Sequence, residues 1–243
     1  VSNIRSRTPA RVRTGNERVL NARLADAKFF WETDAIRPLS ARTEALKNVL
    51  FHHALGSLAG KTRRIEKLSA KIAQAVGAPA AACVRAASLC KADLVSGMVG
   101  EFPDLQGIMG RYLARHDGEP AAVARAIEEH YLPRYAGGVL PQSPAGQVLA
   151  LADRLDSLVG LFIAGEEPTG EKDPYGLRRA ALGVIRILVE KKLDLDIAVL
   201  VEDAADGYAS DGLVSGESAK SQCTTFILER YRALYTTLGF AQD

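Results

Sequence analysis

Apolar residues recur at helical spacing along almost the whole chain, and this pattern constrains the fold more than any other feature. Runs that alternate polar and β-branched residues are scarce. Apolar residues three or four positions apart predict helices that bury one face, whereas half-buried strands need a period of two. The sequence therefore predicts an all-α protein. Its 243 residues, 47% of them hydrophobic, are enough for one sizeable domain, or for one domain and part of another.

Capping and turn residues divide this pattern into separate helices. Asn16 is expected to cap a first helix, and Gly77 is a typical stop signal for another. Asp173 followed by Pro174 predicts a helix start. The first helix should turn Val19, Leu20, Leu24, Ala27 and Phe30 inward. The later helices are expected at about 61–76, 79–99, 147–163, 174–188 and 195–205.

A Gly- and Ser-rich stretch near the C-terminal end predicts a break in the domain organisation. We expect a first helical domain over residues 1–207 and a linker over 208–218. Residues 219–243 begin one more amphipathic helix, as the start of a truncated second domain would.

Three cysteines in a chain of this length do not indicate a disulfide scaffold, and they fit a reducing, cytoplasmic setting. No apolar run approaches the roughly 18 residues that a membrane span requires, so no membrane partner is expected. The first residues, VSNIRSRTPARVR, lack the apolar core of a secretory signal. They also lack an initiator Met, which suggests a fragment.

Charge is unevenly distributed, although the formal net charge is only +2. Residues 1–71 contain 15 Lys and Arg against 6 Asp and Glu, and the rest of the chain is acidic. This asymmetry indicates either a polyanionic partner for the first third or packing of the basic part against the acidic part. Both interpretations stay open at this point.

Cysteines and histidines do not form a metal-binding pattern. Cys83 and Cys90 would lie about 10 Å apart along a helix, too far for two thiolates on one zinc ion. We expect both to face the core as small hydrophobic residues. None of the four histidines has a Cys or His at metal-ligand spacing.

The order of the helices resembles that of HD-superfamily metal-dependent phosphohydrolases, but the ligand positions are changed. By this resemblance the first His position falls on Lys61, the His-Asp pair falls on Cys90 and Lys91, and the last Asp is Asp153. A lysine ammonium is cationic and repels a divalent ion. The resemblance therefore predicts an HD-domain-like helical bundle with a degenerate metal site. An active HD-type phosphohydrolase, acting on a nucleotide or a tRNA end through Asp93 and Asp153, is the alternative.

Longer strings resemble the β subunit of bacterial glycyl-tRNA synthetase. They are GNERVLNARLADAKFFWETD (15–34), KTRRIEKLSAKIA (61–73), KADLVSGMVGEFPDLQGIMGRY (91–112), LADRLDSLVGLF (151–162) and PTGEKDPYGLRRAALGVIRI (168–187). The family more often has Phe-Ala where this chain has Tyr175 and Gly176. We expect Gly176 to lie in the helix that Asp173 and Pro174 begin, and to weaken one turn of it by about 0.5–1 kcal/mol relative to Ala.

This resemblance implies a segment of a heterotetrameric glycine-tRNA ligase. Glycine and ATP, with Mg, would be used by the partner α subunit, so no cofactor and no catalytic residue are expected here. The β subunit would bind glycine tRNA through its HD-like region and a C-terminal anticodon-binding domain, and no DNA partner is implied. FILERYRALYTTLGF would open that anticodon-binding domain.

Basic side chains at helical spacing are the candidates for RNA contact. Arg64, Lys67 and Lys71 lie three and four residues apart, and Lys61 and Arg63 flank them, so the spacing predicts one basic stripe that follows phosphates. Arg178, Arg179 and Arg186 are a second candidate surface. Two alternatives remain: ordinary solvated helix faces, and a purely structural module that holds the α subunit.

Overall fold

The structure, a computed structural model, describes residues 7–213 and 216–237. Within these residues the chain forms ten α-helices. The all-α prediction is confirmed. None of these helices is both long and apolar enough to cross a membrane. The helices are α1 (Pro9–Ala35), α2 (Leu58–Val76), α3 (Ala80–Leu89), α4 (Gly97–Glu101), α5 (Ile108–His116), α6 (Ala121–Glu129), α7 (Pro144–Ile163), α8 (Leu177–Glu190), α9 (Ile197–Ser210) and α10 (Glu217–Thr237).

Short elements connect these helices. Among the described residues, three segments are 3-10 helical, and two strands pair antiparallel with Leu50 opposite Ser57. This small sheet lies directly before α2 and leads the chain into it. The 3-10 segments are Leu39–Asn48, Ala92–Val95 and Pro103–Leu105, and the strands are β1 (Leu50–His52) and β2 (Gly56–Ser57).

Helix α7 lies at the centre of the core. Apolar residues occupy nearly all sides of it, as is typical of a helix surrounded by others, and it packs against α2, α3, α6, α8, α9 and α10. The Ser143 hydroxyl accepts a hydrogen bond from the Gly146 amide, 3.0 Å away, and Pro144 occupies the first turn. α7 therefore begins before the predicted start at Gln147.

Helix α2 follows its prediction closely. It extends one turn earlier than Lys61, and it ends at Gly77, which has the left-handed φ of +67° that favours glycine. Ile65, Leu68 and Ile72 form its buried row. Lys61 and Arg64 are buried as well, which places two cations on the side of α2 that meets α7.

The predicted helix 79–99 is wrong beyond Leu89, where α3 ends. Oδ2 of Asp93 accepts hydrogen bonds from the backbone amides of Gly107, 2.6 Å away, and Gly110, 3.1 Å away. The Ser96 hydroxyl then caps α4. These bonds draw the chain into a turn after α3, so that the next segment packs on α5 rather than continuing the helix.

Helix α1 contacts the rest of the molecule through its C-terminal half, where Arg23 pairs with Glu101 of α4 at 2.7 Å. Phe30 and Trp31 pack against the small cluster that includes Met98. The predicted inner row is wrong for its N-terminal members, because Val19, Leu20 and Leu24 are all more than half exposed.

The C-terminal helices α9 and α10 lie on either side of the predicted linker, 208–218, and both extend into it. α9 continues through Ser210, so the predicted linker begins inside this helix, at the fully buried Tyr208. Cys223 and Ile227 of α10 are buried in the same core cluster as α7. At least this part of α10 packs on the first unit. That 219–243 opens an anticodon-binding domain stays a prediction, and residues 238–243 lie outside those described.

Candidate functional site

The four positions that the HD resemblance singles out lie close together between α2, α3 and α7. Nζ of Lys61 is 3.2 Å from Oδ1 of Asp153, and Nζ of Lys91 is 2.9 Å from Oδ2 of the same carboxylate. The side chains of both lysines are buried, with 4% and 6% exposed. Cys90 is fully buried beside Lys91. Two ammonium groups therefore hold one carboxylate, and we call Lys61, Lys91, Asp153 and His130 the lysine cluster.

Electrostatics within the lysine cluster favour the ionised aspartate. Burial opposes its ionisation, but Lys91 and Lys61 outweigh that effect and hold the pKa of Asp153 well below its usual value. Neither ammonium has a lone pair that could bind a metal. The arrangement is an ion-paired core contact between three helical segments.

His130 completes the lysine cluster, and sequence reasoning did not single it out because no partner lies near it in sequence. Its ring Nδ1 lies 2.6 Å from the carbonyl oxygen of Ile127, and Nε2 lies 2.9 Å from Nζ of Lys91. Burial and the charge of Lys91 lower the pKa of His130 well below its usual value. A neutral ring that donates from Nδ1 to the carbonyl leaves Nε2 to accept from Lys91.

Arg64 forms a second buried ion pair next to this cluster. Its Nε donates to Oδ1 of Asp156 at 2.7 Å, and its Nη1 donates to Oδ2 of Asp211 at 2.9 Å. Its guanidinium lies 4.0 Å over the ring of Tyr208, whose hydroxyl donates to the carbonyl of Asp156. Burial opposes the charge of Arg64, but Asp156 outweighs it and raises the pKa. Arg64 therefore links α2 to α7 and α9.

These contacts do not fit a catalytic metal centre. An ion at Asp153 would have to displace two ammonium groups, and Oδ2 of Asp93 is occupied by two backbone amides. Within residues 7–213 and 216–237, no three His, Cys, Asp or Glu side chains are grouped so that they could hold a metal. Asp153 and Oδ2 of Asp93, which the phosphohydrolase alternative requires as metal ligands, are thus already bound by protein groups.

The predicted basic stripe does not form one surface. Arg64 is buried, and Lys71 contacts Asp203 at 2.6 Å and Asp206 at 3.3 Å. Part of the basic first third therefore packs against acidic residues of α7 and α9, as one of the two interpretations of the charge asymmetry predicts. Arg63 and Lys67 remain exposed, and neither has a carboxylate partner among the residues that the structure describes.

The second candidate surface, on α8, likewise contains arginines that are bound by the protein and one that is exposed. Arg178 donates to the carbonyl of Gly170 at 2.6 Å, whereas Arg179 is exposed. Gly176 precedes α8 with a left-handed φ of +67°, so the expectation that it weakens a helical turn is wrong. Asp173 lies further from the helix than predicted, yet its carboxylate still accepts from the amides of Leu177 and Arg178.

Arg154, one residue after Asp153, is a partly buried cation that meets backbone oxygens instead of a carboxylate. Nη1 donates to the carbonyls of His130 and Ala150 at 2.9 and 3.0 Å. Nη2 donates to those of Tyr131 and Pro133 at 3.3 and 3.2 Å. Burial lowers the pKa of Arg154 to about 10, so it is charged at neutral pH.

The cysteines are free and buried, as expected for Cys83 and Cys90. Burial raises the pKa of Cys90 to about 12, and it does the same for Cys223. A thiol in this state is neither a nucleophile nor a ligand at neutral pH.

Comparison with known proteins identifies relatives of this chain by sequence. The family model described as glycyl-tRNA synthetase beta subunit matches residues 1–243. The glycine–tRNA ligase beta subunit of Aromatoleum aromaticum is 51% identical over 100% of this chain and 35% of its own length. That of Coxiella burnetii, strain RSA 493, is 51% identical over 97% of this chain and 34% of its own. That of Acinetobacter baumannii is 46% identical over 100% and 35%. The chain spans roughly a third of the length of these relatives.

Proposed function

Because the chain belongs to the glycyl-tRNA synthetase beta subunit family, we propose that it contributes tRNA binding and scaffolding to a glycine-tRNA ligase. The observation that carries this proposal is the family match over all 243 residues. The partners are glycine tRNA and the α subunit of a heterotetramer, in a cytoplasmic setting. Glycine activation, with ATP and Mg, belongs to the α subunit.

The lysine cluster supports a non-catalytic role for this segment. In a metal-dependent HD enzyme the centre of such a helical bundle would carry ligands with lone pairs. Here Lys61 and Lys91 supply two positive charges, and Asp153 binds them rather than an ion. We propose that this HD-like bundle has kept its packing role while its metal site has become an ion pair.

RNA contact then depends on the cations that have no protein partner. Phosphate oxygens compete poorly for a lysine that already contacts two aspartates, as Lys71 does. Arg63 and Lys67 are four residues apart on the exposed side of α2, so both can reach neighbouring phosphates. We propose these two, with Arg179 on α8, as the RNA-contacting members of the sequence-predicted set.

Filter binding of glycine tRNA at increasing salt tests the proposed function. Phosphate contacts release counterions, so the logarithm of the association constant should fall linearly with the logarithm of salt concentration, by about 0.7–0.9 for each contact. Pull-down of the α subunit is measured in parallel. Retention of the α subunit without salt-dependent tRNA binding would contradict RNA binding and favour a purely structural module.

A further inference from the structure

A cavity of about 400 Å³ lies on the outer side of the lysine cluster, between α7, the start of α8 and the segment that follows α6. Its volume falls within the range of small-ligand sites, and it exceeds what a bare phosphate ion fills. The lining includes Arg134, Arg154 and Arg179, with Asp153 and Tyr175. His130 and Asp153 of the lysine cluster form part of its inner wall, whereas the exposed side of α2 takes no part in it.

Positive charge dominates the wall of this cavity. Three arginines face it, and among the described residues Asp153 is the only acidic one in its lining. That carboxylate is already neutralised, because Lys61 and Lys91 contact it from the interior. An anion that enters the cavity would therefore meet arginines whose charge is not cancelled nearby.

None of the three arginines has a carboxylate partner within the described parts of the chain. Arg154 is fixed by four backbone carbonyls. Arg134 donates to the carbonyl of Gln106 at 2.8 Å, and its guanidinium lies 5.6 Å over the ring of Tyr131. Arg179 is exposed at the mouth. Carbonyl oxygens and an aromatic ring do not cancel the charge of a guanidinium group, so this charge can attract an anion. Guanidinium groups also match the geometry of phosphate oxygens well.

We propose that this cavity binds the phosphate group of a nucleotide, with Arg179 and Arg134 as its direct contacts. Arg154, whose Nη hydrogens are taken by backbone carbonyls, adds positive charge to the wall without donating to the ligand. Tyr175, 45% exposed at the rim, offers an aromatic surface on which a base can stack. Both a free nucleotide and a nucleotide of an RNA strand carry this chemistry. Arg179 also belongs to the cations proposed above for tRNA contact, whereas Arg63 and Lys67 lie on α2 and do not line this cavity.

Calorimetric titration of the whole chain with 5′-AMP tests the proposal, with adenosine as the ligand that lacks phosphate. We expect binding of AMP but not of adenosine. Arg179→Ala should weaken AMP binding about tenfold, because a charge-assisted hydrogen bond is lost. Arg179 is exposed, so this variant should fold, and thermal unfolding checks that it does. Arg125→Ala, at an exposed position on α6 away from the cavity lining, should bind AMP like the wild type.

The two sources of phosphate are separated by competition. A short single-stranded RNA that displaces AMP identifies an RNA nucleotide as the ligand, and failure to displace it identifies a free nucleotide. Absence of AMP binding at millimolar concentration would overturn the proposal. Equal affinity for AMP and adenosine, or equal affinity of the Arg179→Ala and Arg125→Ala proteins, would overturn it as well. Since tRNA binding through α2 is measured separately, either proposal can fail without the other.

Discussion

At the scale of single residues, Asp153 shows how a buried ion pair can take the place expected for a metal. A carboxylate in the core needs compensation for lost hydration. Lys61 supplies it from α2 at 3.2 Å, and Lys91 supplies it from the turn after α3 at 2.9 Å. The ion pair therefore makes the packing of α2 and α3 on α7 depend on one aspartate.

Lys91→Met should destabilise the fold by about 3 kcal/mol, near the lower end expected for one partner of a buried ion pair, because Lys61 remains to compensate Asp153. Urea unfolding measures the change. Lys67→Met is the control, since Lys67 is exposed on α2, and it should change stability by less than about 0.5 kcal/mol. Similar stability of the Lys91→Met and Lys67→Met proteins would show that the lysine cluster contributes little.

His130 gives the fold a pH dependence. Burial and Lys91 keep its pKa well below the usual value, whereas in the unfolded chain it titrates near 6.5. Below that pH the unfolded chain binds a proton that the folded chain does not. The free energy of unfolding should therefore fall as pH decreases from about 7 to 5, by up to about 1.4 kcal/mol per pH unit from this residue.

The measurement compares wild type with His130→Gln by urea unfolding across this pH range. Glutamine does not titrate, so the stability advantage of the wild type should shrink as the pH falls. An advantage that stays constant with pH would mean that His130 binds protons equally in the folded and unfolded chain, which would contradict the lowered pKa.

At the scale of elements, helix existence was predictable and helix extent was not. The apolar period and Gly77 locate α2 well, because both signals are local. The end of α3 was not predictable, since it depends on Asp93 accepting from Gly107 and Gly110. Likewise the sequence does not show that Gly176 has a left-handed backbone before α8.

Helix α10 offers a test of the predicted domain boundary. Ile227 is fully buried in the core cluster, whereas its neighbour Leu228 is 38% exposed. Ile227→Ala should lower the free energy of unfolding by about 2–5 kcal/mol, and Leu228→Ala should lower it much less. Urea unfolding followed by far-UV circular dichroism should give one transition for both variants. An unchanged main transition in Ile227→Ala would support a separate unit that begins near residue 219.

At the scale of the whole molecule, several basic residues of the first third form ion pairs with acidic residues of the rest, some buried and some at the surface. Lys61 and Arg64 contact aspartates inside the bundle, and Lys71 contacts aspartates at its surface. Spacing along α2 predicts that basic residues share a side, but it does not reveal where the acidic partners on α7 and α9 lie. Which cations are buried was therefore beyond sequence reasoning, whereas the family was within it, because long strings carry that resemblance.

The most direct test of the account is glycine tRNA binding by a double variant, Arg63→Glu with Lys67→Glu, compared with Arg125→Glu. Both sites are exposed on helices, so both proteins should fold. We predict weaker binding by the double variant and a salt dependence shallower by about 0.7–0.9 for each lost phosphate contact. Arg125→Glu should bind like the wild type. Wild-type affinity and salt dependence in the double variant would contradict the claim that the unpaired cations of α2 contact RNA.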